Sequence, residues 1–212
     1  MLQRVTHAPD DNAVTRAQMC TMRQFMERPS LELRARLALP ASDLAPRDVV
    51  VGIHLRFGDK YILESRAKAG IPTRLVKRSD DRGIQALLNR THALLELLIQ
   101  QLESRDPTVR VRMYVASDIP EGITSVQTRW GSRVLPLRAK QVAFHVSELD
   151  HHLLSGEVQT ALIADTMCDW FMLALADILV QPAHSSFSGT ASNLAARPNS
   201  CTVSWDLFHK GR

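Results

Sequence analysis

Two short stretches of this chain carry residue types that could hold an anion and act on it. The first is Val51-Gly52-Ile53-His54-Leu55-Arg56-Phe57-Gly58-Asp59. In an extended chain alternate side chains share a face, so His54 and Arg56 point one way and Leu55 the other. A guanidinium at the end of a buried strand needs an anion or a carboxylate. Its planar fork suits a phosphate, and Gly58 lets the backbone turn sharply beside it. An ion pair of Arg56 with Asp59 would meet the same need. The second stretch is Ala176-Asp177-Ile178-Leu179-Val180-Gln181-Pro182-Ala183-His184-Ser185-Ser186-Phe187-Ser188-Gly189-Thr190. It reads as strand, short loop and helix start. Serines there cap the helix and leave N–H groups for an anion; plain capping by Ser185 or Ser186 explains them equally well. A nucleophilic serine fits less well. The Gly-x-Ser-x-Gly elbow is missing, and His184 beside Ser185 in sequence is not triad geometry.

These residues matter only if the fold brings a strand end and a helix start together. Val49, Val50, Val51 and Ile53 form a β-branched run after Pro46-Arg47-Asp48, as in a parallel strand buried on both faces. Residues 59–82 are polar and basic and read as a long loop. From Gly83 to Arg105 the residues Ile84, Leu87, Leu88, Leu94, Leu95, Leu98, Ile99 and Leu102 fall on one helical face, ended by Asp106-Pro107. Val109, Val111, Met113, Val115 and Ala116 give a second strand, Ile119 to Trp130 a short helix, and Arg133 to Leu137 a third strand. Residues 138–152 show no period. A helix over 155–176, a strand over Ile178 to Gln181, a helix over Ser186 to Ala196 and a strand over Thr202 to Trp205 complete the chain. Upstream, Ala13 to Glu27 and Ser30 to Leu39 read as helices, the second capped by Ser30 and ended by Pro40. Strands alternating with helices predict an α/β, Rossmann-like domain: a mostly parallel sheet with helices on both faces, plus an N-terminal helical extension. The extension is expected over 1–45 and the Rossmann-like domain over 46–212.

Composition narrows the function. The 212 residues are 45% hydrophobic, with 9 Gly, 10 Pro and 3 Cys, which excludes collagen, disulfide-framework and disordered classes. A net charge of +4 is spread thinly, and 3 Trp, 2 Tyr and 6 Phe are too few for basic patches interleaved with aromatics. A nucleic-acid partner is therefore not expected. Cys20, Cys168 and Cys201 have no metal-ligand spacing. The sequon Asn89-Arg90-Thr91 sits in a strongly helical stretch, where chance explains it. Met1 to Asn12 lack the apolar region of a signal peptide. The apolar stretch Ala161 to Val180 is broken by Asp165, Asp169 and Asp177, so no membrane span is expected.

Taken in order, the motifs resemble those of GDP-fucose-dependent fucosyltransferases, most closely the protein O-fucosyltransferases. His54-Leu55-Arg56 followed by Phe57-Gly58-Asp59 is similar to the family's arginine motif. Tyr114-Val115-Ala116-Ser117-Asp118 is similar to the strand that follows it. Asp169, Ala176-Asp177 and Ser185-Ser186-Phe187 are similar to the second nucleotide-sugar motif. The agreement spans about residues 48–196, and the ordered set is far more specific than any single motif. The resemblance implies one half of a GT-B architecture and an inverting, metal-independent transfer of fucose from GDP-fucose to a hydroxyl of a protein or glycan. It implies that the His54-Leu55-Arg56 segment binds the donor. Arg56 would meet the β-phosphate and glycosidic oxygen, and His54 would hold the nucleotide, partly through its backbone. Asp169 would accept guanine N–H groups, Ser185 and Ser186 would bind phosphate oxygens, and Phe187 would pack beside the nucleotide. No cofactor is expected, and the endoplasmic reticulum or Golgi lumen is the implied setting.

The family's Gly-rich, Asn-containing N-terminal half has no counterpart before Gly52. Residues 1–45 read as its remnant, and a GDP-sugar-binding module without catalysis is the alternative. In a continuous helix Asp165 and Asp169 would fall on one stripe, for which a solvated face is the simple expectation.

Overall fold

A computed structural model of the protein describes residues 31–57, 81–136, 156–182, 185–194 and 201–204. The expected helix over 13–27, the Ser30 cap, the stretch 58–80 and residues 138–152 lie outside the described residues. The elements are α1 (Leu31–Ala41), β1 (Asp48–Leu55), α2 (Asp81–Arg105), β2 (Arg110–Ser117), α3 (Pro120–Trp130), α4 (Gly156–Leu175), β3 (Ile178–Gln181), α5 (Ser186–Leu194) and β4 (Cys201–Ser204). α1 carries Pro40 in its last turn and runs one residue beyond it.

The four strands are parallel, in the order β2-β1-β3-β4. β1 is central and buried from Val50 to Leu55, which is why its sequence is an unbroken apolar run rather than an alternation. Of the expected third strand over Arg133 to Leu137, the described residues 133–136 do not form a strand, and Leu137 lies outside them. A short 3-10 turn, Gly131–Arg133, follows α3. Only Val134 then bridges Met113, in parallel, on the edge of β2 away from β1, and the Leu135 amide donates to the Met113 carbonyl at 2.8 Å. Gly131 takes φ +48° to leave α3, and Pro136, with no N–H, cannot extend the ladder. With that bridge counted, the spatial order is that of a doubly wound dinucleotide-type sheet.

One layer of core lies between the sheet and α2 and α3. Val51, Ile53, Leu55, Val111, Met113, Val115 and Val180 meet Leu88, Leu94, Leu95, Leu98, Ile99 and Val126 there. The apolar stripe read from residues 84–102 is the face that packs. The other layer holds α1, α4 and α5 against the opposite side of the sheet, through Leu33, Val50, Tyr114, Trp170, Phe171, Leu173, Leu179 and Ala191. α4 is long and apolar enough by composition to cross a bilayer; here residues 168–174 are all buried in this second layer.

Charge is also buried in the second layer. Arg36 of α1 pairs with Asp165 of α4, and Arg112 of β2 pairs with Asp43 just after α1. Gly52 sets the spacing of the layer, because a Cβ there would stand 2.9 Å from the Ala176 Cβ and 3.2 Å from Leu173 Cδ2.

In the first layer His92 joins α2 to α3. The Trp130 indole N–H donates to His92 Nδ1 at 3.1 Å, and His92 Nε2 lies 2.9 Å from Ser125 Oγ. An indole can only donate, so Nδ1 is bare and the proton sits on Nε2, facing the serine. Burial, and secondarily the Arg129 charge, lower the His92 pKa from its ordinary value.

Two outcomes follow from this packing. Gly52→Ala is expected to lower stability by about 1–3 kcal/mol, because a rigid methyl meets another rigid methyl; urea unfolding measures it. His92 binds its proton more readily unfolded than folded. The stability of its neutral form is therefore complete above the unfolded pKa near ~6.5 and drains away as pH falls below it. His92→Gln is expected to narrow the gap between melting temperatures measured at mildly alkaline and mildly acidic pH.

Candidate functional site at the carboxyl edge of the sheet

Because the strands are parallel, all their carboxyl ends lie along one edge. From β1 the chain leaves to α2 on one face, while from β3 it leaves to α5 on the other. The connections diverge between these adjacent strands and open a crevice there, the place where such sheets bind ligands. The pairing Val51 with Ile178 and Ile53 with Val180 brings Gln181 level with His54.

The two sequence stretches meet across that crevice. His54 is 6% exposed, and its Nδ1 lies 2.9 Å from the hydroxyl of Ser188. Its ring also packs against Phe187, with centroids 5.4 Å apart. As expected from alternation, Leu55 points into the opposite core layer. Helix α5 is fixed in turn by α4: the Trp170 indole donates to Thr190 Oγ1 at 3.0 Å, and the Thr190 hydroxyl donates to the Phe187 carbonyl at 2.9 Å.

Ser185 precedes α5, and its carbonyl accepts the Gly189 amide at 2.9 Å. It is therefore the capping residue, and the next three amides have no partner within the helix. Its own hydroxyl caps nothing. Ser185 is 8% exposed, and its Oγ has no hydrogen-bond partner among the described residues. An orphaned buried hydroxyl costs about 1–3 kcal/mol, so the site is polar beyond what folding uses. The Gln181 side-chain oxygen at the end of β3 is in the same condition; the sequence reading missed it because a glutamine ending a strand is unremarkable without knowing what faces it. The side chain of Ser186, and residues Asp59 and His184, lie outside the described residues.

Arg56 follows β1 directly and is half-buried. Residues on both sides of it are held. His54, two residues earlier, is tied to α5. The Phe57 amide, one residue later, donates to both carboxylate oxygens of Asp118, each at 3.0 Å, and the Asp118 amide donates to the Leu55 carbonyl at 3.3 Å. Gly122 admits this loop: a Cβ there would meet Ser117 Oγ at 2.5 Å and the Phe57 ring at 3.2 Å. Asp118 was legible only as a strand end.

Asp169 lies elsewhere. α4 is one continuous helix, and Asp169, 7% exposed, faces the sheet from its interior. The Tyr114 hydroxyl of β2 donates to its Oδ1 at 2.7 Å. Burial, then the carboxylate's charge, drive the Tyr114 pKa well above the usual phenol value, so it stays a donor. With Asp165 paired to Arg36, the stripe formed by the two aspartates is an interior one and not a solvated face. One of only two tyrosines, set in an apolar strand, was the signal that a buried partner must exist.

No protein-family model matches this chain, and no curated protein matches it. Among solved structures, the chain is similar to the fucosyltransferase NodZ from Bradyrhizobium, with 14% identity and a TM-score of 0.46 over 78% of this chain and 42% of that one. A structure of NodZ α-1,6-fucosyltransferase co-crystallised with GDP gives 15% identity and a TM-score of 0.43 over the same shares. The chain thus spans about two fifths of the length of these structures.

Asp118→Ala is expected to free the Phe57 amide, with hydrogen exchange there faster by about tenfold or more and a stability loss of about 1.5–3 kcal/mol. Asp118→Asn, which keeps one acceptor, should retain most of the protection. Amide exchange read by NMR separates the two.

Proposed function

We propose that this chain binds a nucleotide-sugar in the crevice between β1 and β3, and that it is the donor-binding part of a GDP-fucose-dependent fucosyltransferase of GT-B type. The observation that carries the reading is the buried hydroxyl of Ser185, without a hydrogen-bond partner among the described residues, at the amino end of α5, the helix whose Ser188 holds His54 at the end of β1. A diphosphate supplies acceptor oxygens for the Ser185 hydroxyl and the first amides of α5, and its negative charge suits a helix amino terminus and a neighbouring guanidinium.

In this reading Arg56 is the catalytic residue. When the acceptor hydroxyl attacks the anomeric carbon from the face opposite the leaving group, the bond to GDP breaks and negative charge gathers on the β-phosphate. A guanidinium meeting the β-phosphate stabilises that charge where it develops. The anchors on either side of Arg56 limit the reorganisation needed. Ser185 and Ser186, with the α5 amides, hold the phosphates, and Phe187 lines the nucleotide. Asp169, buried against Tyr114 in the second core layer, has no role at the crevice in this reading. The acceptor is a hydroxyl of a protein or glycan.

GDP and GDP-fucose are expected to raise the melting temperature, and UDP and ATP to do so much less, since a ligand bound only by the folded state stabilises by mass action. Arg56→Ala should weaken GDP binding by about 1.5–3 kcal/mol, roughly ten- to a hundredfold. Calorimetry giving equal GDP affinity for both proteins would overturn the role of Arg56. Transfer or hydrolysis of GDP-fucose distinguishes an enzyme from a module that only binds.

A further inference from the structure

We propose that Ser188 is a positioning residue that fixes His54 in the neutral tautomer bearing its proton on Nε2, so that the ring presents a donor at the carboxyl end of β1. Ser188 is fully buried, at 0% exposure, and among the described residues its hydroxyl has one hydrogen-bond partner, His54 Nδ1 at 2.9 Å. Two assignments fit that distance. If Nδ1 carried the proton and donated to Oγ, the serine's own proton would be sealed in the core with no acceptor. If the serine donates to a bare Nδ1, the buried hydroxyl proton is used, and the imidazole proton must sit on Nε2. The orphan is the costly alternative, so the second assignment holds. Phe187 packs against the same ring, with centroids 5.4 Å apart.

The helix supplies the reason for a serine here. Ser188 lies in the first turn of α5, which the Trp170–Thr190 contact locks to α4. Its hydroxyl therefore meets His54 from a fixed direction. The second ring nitrogen, Nε2, then carries N–H rather than a lone pair. Toward a phosphate or sugar oxygen that N–H attracts; a lone pair would repel. This consequence for ligands rests on the function proposed above, whereas the tautomer itself does not.

The test is long-range proton–nitrogen correlation on ligand-free protein labelled with nitrogen-15 in its eight histidines, with the His54 signals assigned by their loss in His54→Gln. The expected spectrum shows His54 with a protonated-type Nε2 and an acceptor-type Nδ1. A protonated Nδ1 in the unaltered protein overturns the proposal, whatever any variant does. In Ser188→Ala the two nitrogens should move toward averaged shifts, and in Ser188→Thr, which keeps a hydroxyl, they should return toward the original pattern. An unchanged tautomer in a folded Ser188→Ala also overturns it. GDP titration of the same samples is the second arm, and Ser188→Ala should weaken binding by about tenfold. Absence of GDP binding by the unaltered protein, with the Nε2 tautomer present, would count against the nucleotide reading and leave the role of Ser188 supported.

Discussion

The crevice exists because α4 comes down onto β1 at a residue with no side chain. Gly52 lets the Ala176 methyl lie where a Cβ would otherwise stand 2.9 Å away. Ala176 and Asp177 are the last residues before β3. The Asp177 amide donates to the Val50 carbonyl, and its carboxylate accepts the Val50 amide, both at 2.9 Å. β3 is thus set into register with β1 from its first residue. That register decides how far along β1 the strand β3 ends, and so where the chain turns into α5. A bulkier residue at 52 would lift α4 and carry β3 with it. The placement of α5, and of Ser188 against His54, is therefore decided in the middle of the sheet and not at its edge.

Around the crevice, order and openness are divided in an informative way. On one side of Arg56 the His54 ring is held by Ser188 of α5, and on the other the Phe57 amide is held by Asp118 just after β2. Buried oxygens of Ser185 and Gln181 nevertheless have no hydrogen-bond partner among the described residues. A protein interior rarely tolerates such atoms unless something else completes them. Rigid surroundings with a few unused polar atoms are what electrostatic preorganisation requires, since the environment need not rearrange as charge develops.

Much of this could be read from sequence, and the exceptions have physical reasons. β1 was legible because a strand covered on both faces is apolar without interruption. α2 was legible because one of its faces is wet and the apolar period survives. α4 hid its orientation: apolar residues surround it on nearly every side, so no period shows which way Asp165 and Asp169 face, and both turn inward to Arg36 and Tyr114. The segment at Arg133 to Leu137 has strand-like residues, yet Gly131 and Pro136 leave room for one bridge only. His54 and Arg56 were visible as residue types at a strand end. Ser188 and Asp118, which hold that strand end in place, were not, because their partners lie 134 and 61 residues away in the chain.

The buried guanidiniums of the second layer bear on how the molecule comes apart. α1 is joined to the rest by apolar contacts and by Arg36 to Asp165; the turn after it is joined by Asp43 to Arg112. Apolar contacts alone would let a short helix fray and re-dock at little cost. Pulling α1 away instead strands one carboxylate on α4 and exposes or isolates a guanidinium under the sheet, and a separated buried pair is far less favourable than an intact one. Peeling by degrees therefore has no stable halfway point. Helix α1 should melt together with the sheet, as one cooperative unit, rather than as a loose flap ahead of it.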